Sequence, residues 1–243
     1  MMIDILNSEY HFTFYLFGSI IFYYTYFFTN LVLTAYNEKY LKLDDDKKMY
    51  VVSNILKSIQ LCGLTPLAGY ILYDTMFQDK WNSPMIKNLG VLYTIPDTVS
   101  LILVKKMDMT TKVHHSIVCL FNIASITNDY NEENIIRCLI IYAAFSTYAF
   151  IVNFMLGARF LYSNKDLEKL MSRCAFTIYS ICCIINWVWH YFYVTRLYNA
   201  CNTNFCTYGI SLYSFLVCMI AIDDIKLNKW LFKKSEFLVL KAE

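Results

Sequence analysis

The sequence predicts an all-α integral membrane protein with seven transmembrane helices, and three observations carry that reading. Hydrophobic residues make up 58% of the 243 and charged residues 16%, with a mean hydropathy of +0.40. A soluble domain of this length would carry about 45–50% apolar and about 25% charged residues. Long stretches contain no Asp, Glu, Lys or Arg, and the basic residues alternate between two sets of loops. Gly (6) and Pro (3) are too scarce for a collagen-like or linker-rich chain, and a net charge of +2 offers no bulk attraction to nucleic acid.

A helix crosses a bilayer with about 20 apolar residues, because backbone amides left unpaired in lipid are costly. Residues 10–37 form the first uncharged run. This run has no basic leader, outlasts the roughly 7–15 residue core of a signal peptide and has no small-x-small exit site, so it reads as a membrane helix. The second span, 49–77, carries Lys57 and Asp74; the third, 88–104, carries Asp97. The fourth, 113–128, has 16 residues between charges and opens with His114 and His115, so it must begin inside its polar flank. Residues 138–158, 174–195 and 197–222 are uncharged throughout and supply the fifth, sixth and seventh.

Basic residues fix the expected orientation. The first loop holds Lys39, Lys42, Lys47 and Lys48, and the third holds Lys105, Lys106 and Lys112. The fifth holds Arg159, Lys165, Lys169 and Arg173, and Lys226, Lys229, Lys233, Lys234 and Lys241 follow the last span. The opposite side has only Lys80, Lys87 and Arg196. The N-terminus is therefore expected in the lumen and the C-terminus in the cytosol.

With a rise of about 1.5 Å per residue, Lys57 and Asp97 both fall roughly 12 Å below the cytosolic boundary, and the His pair falls about one turn below it. Asn153 lies six residues before Arg159, on the same side. Ionisable groups inside a bilayer are expensive and mark function by default. Lys57 and Asp97 are equally readable as an ion pair joining two helices. His190 sits among aromatic residues near the lumenal interface, where a hydrogen-bonded belt histidine is the ordinary explanation. Arg137 and Arg159 stand at helix ends and are expected to snorkel. His114 and His115 point about 100° apart, so they cannot chelate one metal as an i, i+4 pair would. An imidazole can serve as general base or acid near neutrality, with Asp97 as the orienting carboxylate. No metal or resident cofactor is expected.

The stretch Thr111–Lys112–Val113–His114–His115–Ser116–Ile117–Val118, preceded by Gly90–Val91–Leu92–Tyr93–Thr94–Ile95–Pro96–Asp97, resembles the TLC domain. Phe145–Ser146–Thr147 and Val152–Asn153–Phe154 are similar to that family's later Ser-Thr and Asn stretch. The resemblance covers residues 38–230. It leaves 1–37 as an N-terminal transmembrane helix and 231–243 as a cytosolic tail. It implies a six-helix barrel with a lipid-accommodating interior in the endoplasmic reticulum, membrane lipids as partners and acyl-CoA as a co-substrate. His114, His115 and Asp97 would then be catalytic, with Lys57, Asn153, Ser146 and Thr147 binding substrate. Ceramide synthases in the family follow an Asn-x-x-Arg segment with His-Asp-x-x-Asp. Here Asn134–Ile135–Ile136–Arg137 matches the lead-in, but that spacing lands on Ser146, Thr147 and Phe150. Ceramide synthesis is disfavoured.

Two classes stay open: a lipid acyltransferase, and a non-catalytic lipid transporter, sensor or trafficking protein. A seven-span receptor is disfavoured, because no Asp-Arg-Tyr-like motif follows the third span and no proline lies in the last. Seven of the nine cysteines lie in or beside spans and read as packing residues. Cys201 and Cys206 flank a short loop on the expected lumenal side, where disulfides persist, and are expected to pair.

Overall fold

A computed structural model describes residues 5–235, and these are all-helical, with no strand among them. Residues 236–243 of the expected cytosolic tail, with Lys241, lie outside the described residues. Helix α1 spans His11–Tyr36, and a short α2 spans Glu38–Leu41. Helices α3 (Asp45–Phe77), α4 (Ser83–Leu103) and α5 (Met109–Thr127) follow. Then come α6 (Arg137–Thr147), α7 (Phe150–Ala158), α8 (Lys165–Ala200) and α9 (Asn204–Ser235).

Polar residues between the runs start the helices. The Asn37 side chain accepts from the Lys39 and Tyr40 amides, Asp44 from Lys47, Asn82 from Met85, and Asn164 from Asp166 and Leu167. Each satisfies amides that the first turn leaves without a partner. The Lys47 amide also holds the Asp44 carboxyl below the usual carboxylate range.

The helices close into a ring. α3 packs on α4, α4 on α5, α5 on α9, α9 on α8, α8 on α6 and α7, and these last two return to α3. α1 lies outside, against α4 and α3, with only His11 and Tyr26 buried along it. Gly18 gives α1 its close approach: a Cβ there would lie 2.5 Å from Ile95 Cδ1 on α4. Beside it the Tyr15 and Thr98 hydroxyls meet at 2.8 Å.

Four helices, α1, α3, α8 and α9, are each long and apolar enough to cross a membrane. The expected fifth span, 138–158, is not one straight helix but α6 and α7, bent by 48°; taken together they make a fifth candidate. Thr147 stands at the bend, and the freed carbonyl there faces the Thr65 hydroxyl of α3 at 3.4 Å. α4 and α5 do not qualify alone. They carry Asn88, Asp97 and Ser100, and Lys112, His114, His115 and Asn122, and these residues lower their hydropathy.

α7 crosses α3 at Gly157. A Cβ there would lie 2.9 Å from Ile55 Cγ1 and 3.1 Å from the Val51 carbonyl oxygen, so backbone itself stands in the way. Small residues at such crossings let helix backbones touch. Gly157→Val is expected to destabilise the fold by about 1–3 kcal/mol, as overpacking does. Thermal unfolding in detergent measures this, and an unchanged midpoint would show that the crossing yields freely.

Candidate functional site

The ring encloses a cavity of about 410 Å³, within the roughly 300–1,000 Å³ common for small-ligand sites. Its walls include Leu61, Tyr93, Ala149, Val152 and Leu156. Residues near helix ends and in the α4–α5 connection form its mouth: Tyr50, Asp108, Thr110, Arg159, Lys226 and Trp230. Of the residues singled out from the sequence, Lys57, His114, His115, Ser146 and Asn153 line this cavity. Six helices deliver them and their partners, which a linear motif could not do.

Asp97 does not line the cavity but lies behind it, fully buried on α4. The Lys57 ammonium donates to its Oδ1, joining α3 to α4. His115 Nε2 approaches the same oxygen at 3.5 Å, while His115 Nδ1 lies 2.8 Å from Ser100 Oγ. Ser100 Oγ also stands 2.9 Å from the Asp97 carbonyl oxygen. One hydroxyl proton cannot serve both neighbours. If it goes to His115 Nδ1, the Nε2 proton faces Asp97 and the neutral ring is matched on both sides. Lys57, Asp97, His115 and Ser100 thus form a closed polar knot across three helices.

His114 departs from the expectation that Asp97 orients both histidines. The rotation between neighbours on a helix turns it away, toward α9, where its Nδ1 lies 3.3 Å from Asp223 Oδ2. The contact is at ion-pair distance but not aligned as a hydrogen bond. Thr111 donates to the other oxygen of Asp223 at 3.2 Å. Asp224, next along and buried, accepts from Tyr179 at 2.7 Å and from Tyr142 at 3.4 Å.

Thr147 does not join the site. Its hydroxyl donates to the Ala144 carbonyl, and it borders an apolar pocket with Leu64, Ala68 and Leu89 instead. One residue's rotation from Ser146 is enough to send it to the far side of α6. Asn153 faces the cavity, but its amide donates back to Ala149 at 3.1 Å. Neither Arg137 nor Arg159 snorkels. Arg137 is buried, gives its guanidinium to the Tyr130 and Asn131 carbonyls, and lies 4.4 Å from the Trp81 ring. Arg159 turns into the cavity mouth. His190 is hydrogen-bonded at both ring nitrogens, to the Asn186 carbonyl at 3.0 Å and the Tyr213 hydroxyl at 3.1 Å. Cys201 and Cys206 are joined by a disulfide, with Cα atoms 5.9 Å apart. Among the described residues, no group of three or more His, Cys, Asp or Glu side chains is arranged to hold a metal ion.

Asp223 and Asp224 were hidden by their position, at the end of the uncharged run 197–222, where they read as a loop flank. The helix continues past them to Ser235, and that makes them interior. Comparison of the chain with family models, with curated proteins and with solved structures finds no match.

Proposed function

We propose that this is a seven-span membrane protein of the TLC type that acts on lipids, with its N-terminus in the lumen of the endoplasmic reticulum and its cavity open to the cytosol. The observation that carries this reading is a cavity of mixed polar and apolar lining inside a ring of helices, with two histidines that each face a different carboxylate. Polar groups contributed by several helices are unusual where leucine would pack at lower cost. α4 and α5 complete the seven spans in this reading, α4 covered on its outer side by α1 and α5 presenting Leu120 and Ile123 outward.

The chemistry that fits is acyl transfer from acyl-CoA to an amine or hydroxyl lipid. His114 takes the acceptor's proton, with Asp223 opposite its other face. The acceptor attacks the thioester carbonyl, the C–S bond breaks, and the imidazolium returns the proton to the leaving thiolate. Lys57 spends one N–H on Asp97 and has two more donors for the developing oxyanion. His115, engaged at both ring nitrogens, positions Lys57 and Asp97 rather than reacting. Ceramide is not the expected product.

One observation favours a second reading, a non-catalytic lipid carrier or sensor: Lys57 and His115 both face Asp97 Oδ1 and Ser100 meets His115, so these groups already have partners within the protein even though Asp97 Oδ2 has none. Purified protein given acyl-CoA and a panel of amine and hydroxyl lipids decides between the two. His-dependent release of free CoA supports the transferase. No release with any acceptor, with lipid binding intact in a His114→Ala/His115→Ala variant, supports the carrier.

The orientation has its own test. A glycan-acceptor tag placed in the loop at 129–133 is expected to be modified and one at Asp44 is not. The reverse pattern would turn the cavity toward the lumen, away from acyl-CoA.

A further inference from the structure

The charges around the cavity pair off, and one is left over. Lys57 is held by Asp97, and His114 faces Asp223. Lys226 lies 3.8 Å from Asp108 and donates to Thr110 at 3.3 Å. Arg159 is the exception. Among the described residues it forms no ion pair, and its buried Nε has no hydrogen-bond partner. Its guanidinium instead lies against two rings, 4.6 Å from the centroid of Trp230 and 4.8 Å from that of Phe160.

A helix-end arginine ordinarily answers the last carbonyls of its own helix. Arg159 follows α7, yet only its backbone amide bonds there, to Met155. Cation–π contacts offset part of the cost of withdrawing such a charge from water, but they supply no acceptor for its five donors. Its terminal nitrogens, Nη1 and Nη2, form no hydrogen bond or ion pair among the described residues and are left for a ligand. A guanidinium is a planar fork of donors that matches the oxygens of a phosphate.

We propose that Arg159 is the phosphate-binding residue of the cavity mouth, so that the cavity takes amphiphiles bearing a phosphate group. The chain lies inward along Val152, Leu156 and Leu61, and the phosphate meets the Arg159 edge beside Trp230. This rests on the reading of the cavity as a lipid site and narrows its ligand. The phosphate belongs either to the nucleotide half of acyl-CoA or to a phospholipid headgroup.

Binding to the purified full chain, read without turnover, separates these sources. Palmitoyl-CoA is compared with palmitoyl-pantetheine, which keeps the thioester and chain but lacks the nucleotide phosphates. Lysophosphatidic acid is compared with monoacylglycerol. In at least one pair the phosphate-bearing member is expected to bind about 10- to 100-fold more tightly, the scale of charge-assisted hydrogen bonds. Preference in the first pair alone assigns the nucleotide, and in the second alone the headgroup. Arg159→Gln should erase the preference while leaving affinity for the phosphate-free member unchanged, which also reports that the variant is folded. Arg159→Lys, a charge without the fork, should keep part of it. Equal affinities within both pairs, or a preference that survives Arg159→Gln, would overturn the proposal. The histidine-dependent release of CoA is a separate measurement, so either reading can fail without the other.

Discussion

Lys57→Met is expected to destabilise the fold by about 3–5 kcal/mol, because it leaves the Asp97 carboxylate buried without its countercharge. Asp97 has no solvent exposure, and its Oδ2 already lacks a partner. Adding Asp97→Leu to the same chain should recover most of the loss, since an apolar pair of similar volume is often as stable as a buried ion pair. Unfolding followed in detergent gives both values. If the single variant is as stable as the wild type, the pair does not join α3 to α4. If the double variant is no better than the single, packing rather than charge accounts for the loss.

His114→Ala is expected to lower CoA release about 10²- to 10⁴-fold, the range that a positioned acid–base group contributes. Asp223→Asn should lower it less and move the pH dependence of the rate, because Asp223 acts through His114. His115→Ala should instead show itself first in stability, since it opens the knot around Asp97. Equal losses from the two alanine variants, with unchanged stability in both, would mean that the histidines share one role and that their different surroundings do not matter.

Much of the architecture was legible in the pattern of charges. The uncharged runs became α1, α8, α9 and the α6–α7 pair, and Lys57 and Asp97 do meet at a common level. Hydropathy could not show that 138–158 bends, because the break at Tyr148–Ala149 contains no proline or glycine. It depends on what α3 offers across the gap. The partner of His114 was out of reach for a different reason. Thr111 and Asp223 are 112 residues apart and are brought together by ring closure, which no local signal encodes. Thr147 and Ser146 differ by one step of helical rotation, and only the final packing decides which of them faces the cavity.

α4 and α5, which do not qualify as membrane spans alone and form no qualifying pair, carry Asp97, Ser100, His114 and His115. This bears on how the protein is made. Roughly 70 residues separate the end of α1 from the end of α4, on the order of ten seconds of translation at typical rates. During that interval α1, uncharged along its whole length and long and apolar enough to cross a membrane, is already able to present Gly18 and Tyr15 as a docking groove. On the seven-span proposal, α4 would then meet a waiting partner rather than bare lipid. If α4 does enter the bilayer, it would do so as half of a pair, and substitutions along that groove would then show first in the amount of protein made rather than in activity.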